Sequence, residues 1–119
     1  LILLCRDIEG PDGKTLDQPR LGLLDATVRR NAFGRQADSF ECPLRVRELE
    51  HGGDHALPAV FIRAPYIERA RAGVEILAET GGKIVAARQN HMLATAFHPE
   101  LTDDLRVHAY FLRLIRGEA

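Results

Sequence analysis

The chain has 119 residues, of which 45% are hydrophobic and 28% are charged, a composition that allows one globular domain with a modest core. A net charge of −1 and the lack of any long Lys/Arg run argue against a nucleic-acid or membrane-surface partner. No apolar stretch is long enough to cross a bilayer, and two cysteines without a CxxC spacing fit a reducing, cytoplasmic setting.

The first elements along the chain are predicted to be a helix and two strands. Residues 1–8 carry apolar side chains at i, i+3, i+4 and i+7, which predicts the tail of an amphipathic helix ending near Gly10. Residues 21–28 are apolar enough for a buried strand. Residues 40–49 alternate in part between apolar and polar side chains, as in a half-exposed strand. The chain lacks an initiator Met and opens inside an apolar segment, so we expect further residues upstream.

Four short strands are predicted next, and together with the flanking helices they set the fold class. Residues 59–62 form a buried run, and residues 74–78, 83–88 and 91–97 are strand-like. The last two runs are separated only by Gln89 and Asn90, which predicts a tight hairpin. A helix, several strands and a closing helix are typical of an α/β domain with a mixed sheet.

The closing helix has the clearest pattern in the sequence. Asp103 and Asp104 are predicted to lie in its first turn, and Gly117 is placed for the residue that follows its last turn. Its apolar stripe is formed by Val107, Tyr110, Phe111 and Leu114.

The segment from Phe97 to Glu100 is the strongest candidate for chemistry. It follows a predicted strand and precedes the last helix, and functional sites in open α/β sheets collect beyond the carboxyl ends of strands. Pro99 restricts its own φ and biases His98 towards an extended conformation. A histidine held by a carboxylate can act as general base and then as general acid. The alternative is a turn in which His98 packs and Glu100 favours the helix N-terminus.

A His–Glu pair requires a nucleophile, and neither cysteine fits that role. Cys5 lies on the apolar face of the predicted first helix, and Cys42 alternates with Phe40 and Leu44 in a predicted strand. Unpaired cysteines are among the most buried residues. Neither has the small neighbours of a nucleophile elbow. We therefore interpret both as packing residues.

Residues 29–36 contain three arginines, two amides and a glycine. An arginine there could bind a substrate carboxylate through two parallel hydrogen bonds, although a solvated charged loop is the commoner explanation of such a run. His51, His55 and His91 are scattered without the spacing of a zinc site. We expect no metal and no nucleotide cofactor.

Five segments, in order and spacing, resemble class I glutamine amidotransferases, and among them the glutaminase subunits of pyridoxal 5'-phosphate synthase. The His-Pro-Glu motif at 98–100 is shared by many amidotransferases, whereas residues 30–36 and 61–65 make the resemblance specific to the glutaminase subunits. The segments are residues 21–24, 30–36, 38–41, 60–65 and 96–104.

This resemblance implies a flavodoxin-like three-layer α/β fold, with residues 1–119 forming the C-terminal part of one amidotransferase domain. It implies hydrolysis of L-glutamine to L-glutamate and ammonia without a cofactor, and transfer of the ammonia to a (β/α)₈ synthase subunit that makes pyridoxal 5'-phosphate. His98 and Glu100 match the catalytic His and Glu of the family. The residues that match its glutamine-binding positions are Arg30, Ile62 and Arg63.

One departure from the family concerns the nucleophile. The family places its cysteine in a G-x-C-A-G elbow, which by the resemblance falls about three residues ahead of Leu1. Cys5 matches an ordinary packing position. Two alternatives stay open: the glutaminase of an amidotransferase with another acceptor, or an inactive amidotransferase-like module that only binds a partner.

Overall fold

The computed structural model describes residues 1, 4–10, 12–16, 18, 20–30, 39–49, 56–62 and 64–117. A short 3₁₀ turn, Pro99–Leu101, joins the last strand to the helix. The strands are β1 (Cys5–Glu9), β2 (Leu24–Arg29), β3 (Ser39–Leu44), β4 (Leu57–Ile62), β5 (Tyr66–Ala70), β6 (Glu75–Thr80), β7 (Lys83–Gln89) and β8 (Met92–Thr95), and the helix is α1 (Arg106–Ile115).

The strands form two sheets. Six of them make one sheet in the order β1-β2-β5-β7-β6, with β8 also paired to β7, whereas β3 and β4 form a separate two-stranded sheet. The β1–β2 pair is parallel and the pairs β2–β5, β5–β7, β6–β7 and β7–β8 are antiparallel. The predicted α/β class with a mixed sheet is therefore confirmed. One α-helix lies in the described part of the chain, so the three-layer arrangement stays a prediction.

Two tight turns fix the register of β6, β7 and β8. Thr80 pairs with Lys83 across a two-residue loop, in which Gly81 and Gly82 have φ of 57° and 77°. A type I′ turn needs positive φ at both positions, and glycine adopts it without steric cost. In the next turn Asn90 has a φ of 55°, and β7 and β8 pair antiparallel. The predicted hairpin is confirmed.

The prediction of a helix over residues 1–8 is wrong. Residues Cys5–Glu9 form β1, which runs parallel to β2. Cys5, Ile8 and Glu9 are all buried, so this strand is covered on both faces. A short strand of that kind shows no clean alternation, and its apolar positions can match a helical spacing by chance.

The strand predictions for β2 and β3 are confirmed in kind but differ at their ends. β2 begins at Leu24, because Leu21 and Leu23 are 67% and 59% exposed and precede the sheet. β3 shows the predicted alternation but ends at Leu44 rather than at residue 49. β5 was not predicted, since Arg69 and Glu68 break its apolar pattern.

The closing helix is confirmed, with a later start. It begins at Arg106, so Asp103 and Asp104 precede it instead of lying in its first turn. The Asp104 carboxylate accepts hydrogen bonds from the backbone amide and the guanidinium of Arg106, at 3.1 and 2.7 Å. Gly117 follows the helix with a φ of 76°, as predicted. Phe111 is 40% exposed, so the buried stripe consists of Val107, Tyr110 and Leu114.

Two hydrophobic clusters build the core. One is shared by β3, β4, β6, β7 and α1 and is centred on Phe61 and Tyr110. The other lies among β1, β2 and β5 and includes Ile8, Leu24 and Ile67. Within the described ranges, no helix is long and apolar enough to span a membrane.

Candidate active site

The backbone of His98 is fixed between the two sheets. His98 follows β8, and its amide donates a 2.8 Å hydrogen bond to the carbonyl of Val60 in β4. The preceding Phe97 is 2% exposed and meets Phe61 edge to face, with ring centroids 5.9 Å apart. Phe61 stacks in turn on Phe40 at 4.7 Å. The turn that begins at His98 is therefore supported by three packed aromatic side chains.

The side chains of His98 and Glu100 contact each other directly. His98 Nδ1 lies 3.0 Å from Glu100 Oε2, and the two side chains are 42% and 58% exposed. Pro99 begins the 3₁₀ turn between them. The backbone amide of Glu100, followed by the His98 ring, lowers the pKa of the Glu100 carboxyl below its usual value. An ionised Glu100 accepts a hydrogen bond from Nδ1–H of His98, and in that tautomer Nε2 is left as a proton acceptor.

The His98–Glu100 pair borders a cleft of about 520 Å³. The cleft joins the end of β8 to the start of β5. Its lining comprises Leu1, Pro65, Thr95, Ala96, Phe97, His98, Pro99 and Glu100.

Arg30 lies at the same end of the sheet as this cleft but does not line it. Its amide donates to the carbonyl of Glu9 at 2.9 Å, and its Nη1 donates to Oε1 of Gln18 at 2.8 Å. Arg29 pairs with Tyr66 between β2 and β5. By continuation of this register the backbone of Arg30 lies level with the cleft-lining Pro65, which precedes β5.

Among the residues that the structure describes, the other predicted site residues do not line the cleft. Ile62 ends β4 and is 44% exposed, two positions beyond the carbonyl that holds His98, yet it does not line the cleft. Arg63, His51 and His55 lie outside the described residues. His91 is exposed after β7. In the part of the chain that the structure describes, no group of three His, Cys, Asp or Glu residues could hold a metal ion.

Both cysteines lie away from the cleft lining. Cys5 is fully buried in β1, and burial raises the pKa of its thiol to about 11. Cys42 is partly buried in β3 against the core. The packing interpretation is confirmed for Cys5, although its element is a strand rather than a helix. A thiol of such a high pKa forms little of the thiolate that attacks substrates.

A buried carboxylate near the candidate site escaped prediction. Glu9 is 6% exposed, and its oxygens accept from Arg69 Nη2 at 2.7 Å and Arg29 Nη2 at 3.2 Å. These two guanidiniums, Arg69 first, lower the pKa of the Glu9 carboxyl. Glu68 lies 3.5 Å from Arg29 as well. We refer to Glu9, Arg29, Glu68 and Arg69 as the Glu9 cluster. Its members are distant in sequence, and no local motif signals their contact.

The mixed α/β sheet with a His–Glu pair beside a cleft has the architecture of a glutamine amidotransferase. A solved crystal structure described as a glutamine amidotransferase superimposes with a TM-score of 0.81 at 50% sequence identity, over 95% of this chain and 55% of that one. The sequence matches the SNO glutamine amidotransferase family over residues 1–116. The chain belongs to that family.

Relatives named pyridoxal 5'-phosphate synthase subunit PdxT are also similar to this chain. The protein from Moorella thermoacetica is 57% identical over 115 residues, which cover 97% of this chain and 57% of the relative. The protein from Pelotomaculum thermopropionicum is 58% identical over 112 residues, covering 94% and 53%. The chain thus spans about half the length of the curated relatives it matches.

Proposed function

We propose that the full-length protein hydrolyses L-glutamine to L-glutamate and ammonia, and delivers the ammonia to a (β/α)₈ synthase subunit that makes pyridoxal 5'-phosphate. The observation that carries this proposal is the 3.0 Å contact between His98 Nδ1 and Glu100 Oε2 beside the cleft. The names of the relatives support the product, and the resemblance of the sequence to glutaminase subunits supports the partner. Residues 1–119 would form the C-terminal part of one amidotransferase domain.

In this mechanism a cysteine thiolate attacks the side-chain amide carbon of glutamine, and His98 handles the protons. Nε2 of His98 first takes the proton of the cysteine thiol and donates it to the departing ammonia. It later removes a proton from the water that hydrolyses the thioester and returns it to the released thiolate. Glu100 holds the ring through Nδ1 and stabilises the imidazolium that forms in each step. The partial exposure of both side chains leaves room for substrate and water.

The nucleophile of this Cys-His-Glu triad is proposed to come from residues ahead of Leu1. Leu1 lines the same cleft as His98. A residue about three positions earlier lies within roughly 10 Å along an extended chain, and can therefore reach the cleft. The burial of Cys5 and its pKa of about 11 also support a nucleophile other than Cys5.

Arg30 is proposed to bind the α-carboxylate of glutamine, with Ile62 and Arg63 completing the pocket. Arg30 is part-buried, and its hydrogen-bonded side-chain partner is the neutral amide of Gln18. Among the described residues, no carboxylate forms an ion pair with Arg30. Its positive charge is therefore available to an anionic group of the substrate.

Ammonia release and co-purification test the proposal together. The full-length protein should bind the synthase subunit and release ammonia from glutamine when the two are mixed. Release without binding would assign the glutaminase to another amidotransferase. Binding without release would overturn the proposed hydrolysis and make the protein an inactive partner module, and the absence of both would overturn the whole proposal.

A further inference from the structure

We infer that Gln18 is a positioning residue that orients Arg30 towards a substrate carboxylate without adding a negative charge beside Arg30, which has no carboxylate partner among the residues that the structure describes. The inference rests on the proposed role of Arg30 and extends it to a residue in a different segment. Gln18 lies in the loop between β1 and β2, and its Oε1 accepts from Arg30 Nη1 at 2.8 Å.

The loop that carries Gln18 is anchored on β1. The amide of Leu16 donates to the carbonyl of Ile8 at 2.7 Å, and the amide of Gly10 donates to the carbonyl of Lys14 at 2.9 Å. The Gln18 carbonyl accepts from Arg20 Nη1 at 3.3 Å. Leu16 and Arg20, the nearest described residues before and after Gln18, are thus both hydrogen-bonded, so the Gln18 side chain can define the direction of the guanidinium.

Gln18 engages the guanidinium through Nη1 and leaves the Nε–Nη2 edge facing away from this bond. That edge carries two parallel N–H groups, the geometry that matches a carboxylate bidentately. The side-chain amide of Gln18 is thus placed where it fixes the Arg30 side chain. It does not occupy the edge of the guanidinium that best binds a carboxylate.

The neighbouring Arg29 shows what a carboxylate partner does to the same chemical group. Arg29 Nη2 lies 3.2 Å from Glu9 and 3.5 Å from Glu68, so its charge is neutralised within the protein. An amide accepts the same kind of hydrogen bond but carries no net charge. Replacing Gln18 by glutamate would give Arg30 the environment of Arg29 and lower its attraction for an anion.

Charge and hydrogen bonding can be separated with two variants of the full-length protein, measured with its synthase. Gln18→Glu keeps the size and strengthens the hydrogen bond, whereas Gln18→Met keeps the size and removes the acceptor. We expect Gln18→Glu to raise the KM for glutamine about tenfold and Gln18→Met about threefold, with kcat changed less than about twofold. A purely structural role gives the opposite order, with glutamate tolerated better than methionine.

Two controls complete the test. Thr15→Glu adds the same charge to the exposed side of the loop and should leave KM unchanged. In an Arg30→Ala background, Gln18→Glu should add no further rise in KM, because the group it acts through is gone. Thermal unfolding of each variant shows whether it is folded.

Calorimetric titration with L-glutamine separates this inference from the proposed function. Wild-type protein that neither binds nor hydrolyses glutamine would overturn both. Wild-type protein that binds glutamine, with Kd unchanged in folded Gln18→Glu, would overturn the role of Gln18 alone. A Kd that weakens about tenfold in Gln18→Glu supports it even where turnover is too slow to measure.

Discussion

The Glu9 cluster and the His98 cleft both place charged side chains at one end of the sheet, but they use the charge differently. Glu9 is 6% exposed, and both of its oxygens accept from arginines. His98 and Glu100 are 42% and 58% exposed, and one ring nitrogen is engaged by the carboxylate. Charge matched inside the protein stabilises the fold, whereas groups that can still accept a proton or an anion remain available for chemistry.

The contrast is sharpest at two consecutive residues. Arg29 is the last residue of β2 and donates to Glu9, whereas Arg30 follows it and donates to an amide. Sequence position alone does not distinguish them. Their partners do, since Arg29 is paired with carboxylates, whereas within the described ranges Arg30 is paired with an amide and with no carboxylate.

The largest expected effect comes from His98→Asn in the full-length protein. Glutamine hydrolysis should fall by about a thousandfold or more, because triad members act as a unit. The amide bond from His98 to Val60 belongs to the backbone and is retained, so stability should change little. Steady-state ammonia release measures the effect, and His91→Asn, in an exposed turn, is the matched control. Near-normal release by folded His98→Asn would reject the assignment.

Arg30→Ala should act on substrate binding rather than on chemistry. The α-carboxylate keeps its charge throughout the reaction, so the KM for glutamine should rise about tenfold or more while kcat falls less. Arg45→Ala, on an exposed residue, should leave both constants unchanged. If KM is unchanged in the Arg30 variant, Arg30 is a surface charge without a substrate role.

The Glu9→Gln variant tests the role of the Glu9 cluster in stability. The free energy of unfolding should fall by about 2 kcal/mol, because two guanidiniums lose their carboxylate, while KM and kcat of the folded variant stay close to wild type. Denaturant titration provides the measurement, and exposed Glu79→Gln is the control. A large loss of activity without loss of stability would place Glu9 in the site instead.

The Glu9 carboxylate also makes the free energy of unfolding of the wild-type protein depend on pH, and the direction of its pKa shift sets the sign of that dependence. The pKa of Glu9 in the folded protein lies below its usual value of 4.5, so the unfolded chain takes up the proton first as pH falls. The stabilisation is complete above pH 4.5 and is lost as pH drops through the lower, folded-state pKa. The Glu9→Gln variant should not show this loss of stability at low pH. Glu100 and Asp104 contribute equally to the pH dependence of the wild type and of the variant.

Cys5→Ala should have the smallest effect. Removing one small buried group costs on the order of 1 kcal/mol of stability, and ammonia release should be unchanged. The wild-type thiol, with a pKa of about 11, should also resist alkylation in the folded state. Loss of the glutamyl thioester in folded Cys5→Ala would identify Cys5 as the nucleophile.

Local patterns in the sequence predicted much of this fold. The hairpin between β7 and β8, the alternation in β3 and most of the apolar stripe of α1 depend on neighbouring residues and are predicted by the sequence, whereas the turn at Gly81 and Gly82 was not predicted. β1 was misassigned because burial on both faces removes the alternation that marks a strand. β5 was missed because its charged side chains take part in long-range ion pairs, which no local pattern reports.

The candidate site divides in the same way. His98 and Glu100 are two residues apart, so their contact follows from a rigid turn around Pro99. Gln18 and Arg30 meet only because the loop after β1 folds back along that strand. The Glu9 cluster requires Arg69, whose position is set by the pairing of β2 with β5. Contacts of this kind need the tertiary fold.

The hydrogen bond from the His98 amide to Val60 joins two parts of the molecule that share no strand. His98 follows a strand of the six-stranded sheet, and Val60 belongs to the two-stranded sheet. The amide proton of His98 can exchange with solvent only when the two parts separate at this point. The exchange rate of one backbone proton would therefore report, by NMR and without substrate, how often the candidate catalytic turn detaches from its support.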